Sequence, residues 1–319
     1  MQEYIRLAQA GDTKAWNTIY QAHYPDDLSI LKCTEMDATI RTLYKSDLFE
    51  VTDFVCRCTE CGYSGVEYQN KFSICYVRRG SFLFKIFSDE LECFNNRFLI
   101  NKPGFTHRVK HYHSLADECL IIGFSSGFYD GIRDVYGSSL NGFLNNERIH
   151  SLLLNSSPVT EYLIFRLKNQ LTVKDPDGLE TDGIVLELIE KIFHLYDQKT
   201  PTISEKHKQS WLPAIEKSRE YIQENFAEEI TMEQLAGVSH MSPFHFNRVF
   251  KQITRLSPYQ YLLNFRMHHA SHLLKTTGET VSAIGWSAGF NNPDHFSYAF
   301  KSFSGCSPQH FRNINKQEF

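Results

Sequence analysis

Ser242-Pro-Phe-His-Phe-Asn-Arg-Val-Phe-Lys-Gln-Ile-Thr-Arg-Leu-Ser-Pro258 and Asn292-Pro-Asp-His-Phe-Ser-Tyr-Ala-Phe-Lys-Ser-Phe-Ser-Gly-Cys-Ser-Pro308 are two copies of one pattern. Pro243, His245, Phe246, Phe250, Lys251, Ser257 and Pro258 recur fifty positions later as Pro293, His295, Phe296, Phe300, Lys301, Ser307 and Pro308. Upstream, Thr231 and Leu235 recur at an offset of 49, as Thr280 and Ile284, so the second copy gained one residue in its turn. Ordered recurrence of this kind marks a structural repeat and takes precedence over weaker signals.

Each copy predicts the same local structure. Thr231 or Thr280 caps a short helix whose apolar face holds Leu235 and Ala236, or Ile284. After a break, Ser242 in one copy and Asn291 or Asn292 in the other cap a second helix. Phe246, Val249 and Phe250, or Phe296, Ala299 and Phe300, then face inward at i, i+3, i+4 spacing. That spacing leaves Phe244, Asn247, Arg248 and Lys251 on the outer side of the first unit and Asp294, Ser297, Tyr298 and Lys301 on that of the second. A helix, a tight turn and an exposed second helix have the dimensions that enter a DNA major groove. Asn and Arg suit bidentate reading of adenine and guanine, and an outward Phe suits a thymine methyl. Residues 259–275 keep helical periodicity and are expected to set the spacing of the two readers, roughly one DNA turn or ~34 Å if they occupy successive grooves.

Charge supports this reading once it is resolved by position. The 319-residue chain carries a net charge of −4. Between Leu235 and Lys316, however, eight basic residues (Arg248, Lys251, Arg255, Arg266, Lys275, Lys301, Arg312, Lys316) stand against Glu279 and Asp294, a local +6 that leaves −10 elsewhere. A confined cationic region is the footprint of phosphate contacts. An all-helical interaction domain would account for the buried phenylalanines but not for the cationic excess or the polar outer faces.

The repeat resembles the DNA-binding domain of the AraC/XylS family of bacterial transcription regulators over about a hundred residues. Leu235-Ala236, Ser242, Arg248, Phe250-Lys251, Ser257-Pro258, Arg266, Ala270 and Leu273-Leu274 carry it in the first unit. Ile284, Gly289-Phe290, His295-Phe296, Phe300-Lys301, Gly305, Ser307-Pro308 and Phe311-Arg312 carry it in the second. Three positions depart from the family pattern: Arg255 stands for a usual Gly, Gly285 for a usual Ala and Tyr298 for a common Arg. The last suggests that the first unit dominates specificity. The resemblance implies a regulator of promoter DNA, homodimeric, in contact with RNA polymerase, and not an enzyme.

Upstream, residues 48–124 read as short strands separated by turn signals at Gly62, Gly80, Asn95-Asn96 and Pro103-Gly104, which fits a small antiparallel barrel or sandwich. The family resemblance makes this part a cupin-like β-barrel sensory domain, so the fold expected is α+β. Its boundaries fall at 1–175 for the sensory domain with an N-terminal helix, 176–210 for an amphipathic helix and linker, and 211–319 for the tandem helix-turn-helix domain. Ile184, Leu188, Ile192 and Leu195, with Val185, Ile189 and Phe193 beside them, give that helix a wide apolar stripe, to be buried against the strands or a second copy. The polar stretch 197–210, with Pro201, suits a linker. Residues 1–24 carry an amphipathic pattern through Ile5, Leu7, Ala8, Ala15, Trp16, Ile19 and Tyr20, expected as a helix on the sensory domain.

Cys56, Cys58 and Cys61 can bring three thiols together, with Cys119, His107, His111 or His113 supplying a fourth ligand for zinc or another soft metal. The spacing lacks the paired Cys-x-x-Cys of a zinc ribbon, and cysteine is also a common buried residue. An enzymatic cupin needs His-x-His after a Pro-Gly turn, but Val109 stands two beyond His107, which opposes a metalloenzyme with a DNA-binding tail. Residues 1–20 lack the apolar core of a signal peptide and no run reaches the ~18 apolar residues of a membrane helix, so a cytoplasmic location with an unidentified small-molecule or metal effector is expected.

Overall fold

The computed structural model describes residues 38–57, 63–87, 89–111, 117–137, 142–173, 176–193 and 205–315, without the side chains of 205–210. The amphipathic stretch at 1–24 lies outside them. The described residues form two compact units, one of strands with the helix Gly178–Phe193, the other of Ser157–Gln170 with the helices from Glu205 onward.

In the first unit, β1 (Ala38–Lys45), β2 (Phe49–Cys56), β9 (Asp117–Phe124), β4 (Ser73–Arg79), β7 (Arg97–Asn101) and β10 (Ser151–Asn155) make a six-stranded sheet in that order. A four-stranded sheet runs β3 (Glu67–Gln69), β8 (Phe105–His111), β5 (Ser81–Ile86), β6 (Asp89–Phe94). The ladders are antiparallel. Alternation along β5 turns Phe82, Phe84 and Ile86 inward, where they join Cys75, Val77, Cys93, Leu99, Phe105 and Cys119 in one core.

The closed cupin-like barrel expected from the resemblance is not what these strands form. Among the described residues no ladder joins the two sheets. The chain changes sheet at sharp corners instead. Gly80, at φ +83°, turns β4 into β5, and a Cβ there would sit 2.1 Å from Asp117 Oδ1 and 2.9 Å from its Cα. Asn96, also at positive φ, turns β6 into β7. Corners of this kind separate neighbours in sequence into different layers, which gives the sandwich rather than the barrel.

Helix α1 spans Ser126–Tyr136, α2 Pro158–Thr172 and α3 Gly178–Phe193. The apolar stripe of α3 (Ile184, Val185, Leu188, Ile189, Ile192, Phe193) is buried within the chain, and Tyr136 stacks on Phe193 with ring centroids 4.9 Å apart. The Tyr44 hydroxyl donates to Asp182 Oδ1 at 3.1 Å, fixing the start of this helix on β1. Leu179 and Leu186 are the exposed apolar residues of α3.

The second unit contains α2 and α4 (Glu205–Asn225), α5 (Met232–Val238), α6 (Pro243–Thr254), α7 (Pro258–Thr276), α8 (Val281–Ser287), α9 (Pro293–Ser304) and α10 (Pro308–Asn315). Helix α4 begins inside the stretch read as linker. The only proline there, Pro201, precedes Glu205, and nothing from Glu205 to Ser210 interrupts a helix. Two cores share α7: Tyr261, Leu262 and Phe265 pack with Leu235, Phe246, Val249 and Phe250, while Met267, Ala270 and Leu274 pack with Ile284, Phe290, Phe296 and Phe300. Truncating a fully buried Phe such as Phe246 to Ala costs about 3–5 kcal/mol. Each repeat therefore has its own core, mounted on one helix.

Candidate nucleic-acid interface

The exposed helices α6 and α9 are started by the same local chemistry. Ser242 and Asn292 sit in extended backbone just before prolines at the first helical position. The Ser242 hydroxyl accepts from the His245 amide, and Asn292 Oδ1 accepts from the amides of Asp294 at 2.8 Å and His295 at 3.1 Å. A side-chain acceptor satisfies amides the helix leaves orphaned, and proline donates nothing there. Thr231 and Thr280 cap the preceding short helices, Thr231 in a capping box with Gln234.

Once started, each helix buries one face and shows the other. Phe246, Val249 and Phe250 are fully buried, as are Phe296 and Phe300, while Ala299 is half-buried. The opposite face of α6 exposes Phe244, Asn247, Arg248 and Lys251. Phe244 is 82% exposed, far beyond what a core residue tolerates, and Arg248 lies 3.2 Å from His245 Nδ1. On α9, Asp294, Tyr298 and Lys301 are exposed, and Ser297 is half-buried. Tyr298, 77% exposed, occupies the place that Arg248 holds one repeat earlier.

The turns before these helices differ in a way that sequence alone does not reveal. His240 and Gly289 occupy the same place and both have positive φ, 53° and 81°. At Gly289 a Cβ would lie 2.8 Å from the carbonyl oxygens of Phe226 and Ala227, so glycine is required by close approach as well as by conformation. His240 is exposed.

Two of the cations counted in the local excess are used inside the fold. Arg266 Nε donates to Phe226 O and its guanidinium to Glu228 O, both at 2.7 Å. Arg312, buried, donates to Glu279 O at 2.5 Å. Each arginine pins the backbone leading into the capped short helix of its unit. Arg248, Lys251, Arg255, Lys275 and Lys301 are the described cations of that set left on the surface. Lys316 lies outside the described residues.

The described candidate metal ligands are not brought together. Cys56 and Cys119 are buried, Cys119 in the inter-sheet core, and the His111 ring nitrogen Nδ1 is bonded to Asp117. The hydrogen bond with the Cys75 thiol, and then burial, push Cys119 well above the ordinary thiol range, the opposite of what a thiolate ligand needs. Among the described residues no group of three or more His, Cys, Asp or Glu is placed to hold a metal. Cys58, Cys61 and His113 lie outside them.

Residues 235–314 match the helix-turn-helix domain family, the span that holds both repeats. Over 118 residues the chain is 34% identical to the bifunctional transcriptional activator/DNA repair enzyme AdaA of Bacillus subtilis, covering 37% of this chain and 54% of that one. It is 37% identical over 92 residues to the transcriptional activator RhaS of an Enterobacter species, covering 29% and 33%. The C-terminal domain belongs to the AraC/XylS family. Among solved structures, the C-terminal domain of AraT, a response regulator from Geobacillus stearothermophilus, is similar at 31% identity with a TM-score of 0.33, over 33% of this chain and 88% of that one. The chain spans between a third and about half the length of these two curated relatives.

The departures from the AraC/XylS pattern acquire physical meaning here. Gly285, where alanine is usual, faces Phe296, and a Cβ would meet that ring at 2.9 Å. Its counterpart in the first unit is the buried Ala236. Arg255 closes α6 in the left-handed conformation, φ 67°, whereas Gly305 closes α9 at φ 81°. Tyr298 leaves the outer face of α9 with Lys301 as its exposed cation.

Proposed function

We propose that this chain is a sequence-specific, effector-responsive transcription regulator that binds double-stranded promoter DNA through α6 and α9. The observation that carries the reading is the pair of repeat-related helices, each closed over its own phenylalanine core and each presenting polar or cationic side chains outward. Asn247 and Arg248 read adenine and guanine edges, Phe244 contacts a thymine methyl, and Lys251 and Lys301 hold phosphates. Ser242 and Asn292 cap their helices, so the positive ends of both point at the backbone of the duplex. Asp294, Ser297 and Tyr298 line the second reader, whose smaller cationic content makes the first unit the main source of specificity. The sheet-rich unit receives the effector. In the cell the protein works in the cytoplasm as a homodimer, presenting four readers to one operator and contacting RNA polymerase.

The test is selection of fragments of genomic DNA by the full chain. Enrichment of a discrete motif over random DNA at fixed salt supports the reading. Retention of all fragments equally, or of none, overturns it.

A further inference from the structure

A cavity of about 350 Å³ lies between the two sheets of the first unit. Its walls are mostly apolar, formed by Phe54, Phe82, Phe84, Leu99, Val109 and Ile121. This is within the size range of small-molecule sites, roughly 300–1,000 Å³, and such sites set a few polar groups into an apolar surround. On two of the polar side chains here a buried atom makes no hydrogen bond. Only 9% of the His107 side chain is exposed, its ring stacks on Phe84 with centroids 4.5 Å apart, and its Nδ1 is buried without a hydrogen bond. Across from it, Glu67 Oε2 lies 3.7 Å from His107 Nε2, too far for a hydrogen bond, and Glu67 Oε1 is also buried without a partner. The rest of the Glu67 side chain, 40% exposed, borders the cavity.

We propose that this cavity binds a small, largely apolar molecule whose uncharged or cationic head donates hydrogen bonds to His107 and Glu67, and that it excludes anionic heads.

Burial lowers the His107 pKa to about 4, so at neutral pH the ring is neutral and offers an acceptor nitrogen rather than a positive charge. Burial raises that of Glu67, offset in part by the Ser64 hydroxyl and by His111. His111 is itself bonded to Asp117, and Lys71 at the cavity is taken up by Glu50 at 2.7 Å. Lys71 is therefore not left over for a ligand carboxylate. A buried acceptor without a donor is destabilising, and a donating head removes that cost at two atoms at once. Ser73 and Asn101, also buried in the lining, already bond Gln69 at 3.0 Å and Ser151 at 2.6 Å. Discrimination is assigned to the unbonded acceptor atoms of His107 and Glu67. The inference rests on the effector-responsive reading above and names the chemistry of the effector.

Isothermal titration of the full chain at neutral pH with phenethyl alcohol, phenethylamine and phenylacetate tests it without DNA. These probes share one body and differ in the head. The alcohol, the amine or both are expected to bind about tenfold or more tightly than the acid, the worth of one charged-group hydrogen bond. Comparing the first two separates a hydroxyl head from an ammonium head. In Glu67→Gln the penalty on the acid should shrink to about threefold or less. Phenylacetate binding as tightly as the others, no binding by any probe, or an unchanged ranking in Glu67→Gln overturns the proposal. If Glu67→Gln does not fold, the ranking in the unaltered chain still decides. Fragment selection succeeds or fails independently, so loss of this inference is distinguishable from loss of the regulator reading.

Discussion

Glu161 of α2 is paired with Arg219 of α4, and both side chains are buried. The Tyr261 hydroxyl of α7 donates to the same carboxylate and in turn accepts from Gln223 Nε2 at 3.2 Å. Beside this cluster Tyr162 and Phe165 pack on Phe265, with ring centroids 5.2 and 5.3 Å away. Helix α2 is thus tied to the first helix-turn-helix core by ion pair, hydrogen bond and aromatic contact together.

Breaking that pair is expected to be costly in one direction only. Glu161→Ala leaves the Arg219 guanidinium buried without its counter-ion, a loss of about 3–5 kcal/mol. Replacing both, as Glu161→Leu with Arg219→Met, removes the desolvation penalty of two ions and should recover most of the loss. Urea unfolding of the full chain checks this. A Glu161→Ala midpoint equal to that of the parent would show that the pair contributes nothing.

The C-termini of α6 and α9 predict an asymmetry. A side chain in the left-handed region costs roughly 1–2 kcal/mol that glycine avoids. Nothing lies within 4 Å of a Cβ at Gly305, so Gly305→Ala is charged only with backbone strain, about 1 kcal/mol. Arg255→Gly, at the matching position, should gain about the same amount. Opposite shifts in unfolding midpoint are the expected result, and shifts of the same sign would contradict it.

These cases mark what the amino-acid order can and cannot reveal. The two helix-turn-helix units are legible because their determinants are local: Ser or Asn before Pro, Thr caps, and phenylalanines at i, i+4 all act within a turn of helix. The six-stranded order is not, since β2 pairs β9 across more than fifty residues and alternation says nothing about which strand is neighbour. Arg266 and Arg312 look like phosphate cations because charge is written in the residue, whereas the carbonyls of Phe226 and Glu279 that hold them are distant in sequence. Residues 157–170 read as part of the strand domain, while Glu161 and Tyr162 find their partners at Arg219, Tyr261 and His269. The His107 and Glu67 pair escapes for the same reason, being assembled from β8 and β3.

Acid should weaken the second unit. Burial, with Arg166 nearby, lowers the pKa of His269 to about 4 from 6.5, and His272 to about 4 likewise. Between those values the unfolded chain takes up protons that the folded one refuses, so stability falls as pH drops from about 6.5 to about 4 and is fully present above 6.5. The Tyr162 hydroxyl is hydrogen-bonded to Nδ1 of this ring at 3.1 Å. His269→Gln keeps an acceptor there without a titrating group, and should flatten part of the slope of urea midpoint against pH in this window. An unchanged slope would remove His269 from the account.

Arg248 and Lys251 differ by one turn of α6 and should fail differently. Both are exposed, and neither is held by an ion pair among the described residues. A bidentate arginine–guanine contact is worth about 1–3 kcal/mol of discrimination, so Arg248→Ala should lose roughly tenfold or more on the selected motif and little on random DNA. Lys251→Ala removes a phosphate contact. It should weaken both kinds of DNA alike and reduce the slope of log affinity against log salt by about 0.9. Filter binding across a salt series separates the two, because base reading and phosphate neutralisation respond to different variables. Equal losses on motif and random DNA in Arg248→Ala would move that residue from the bases to the backbone and leave Asn247 and Phe244 as the readers of α6.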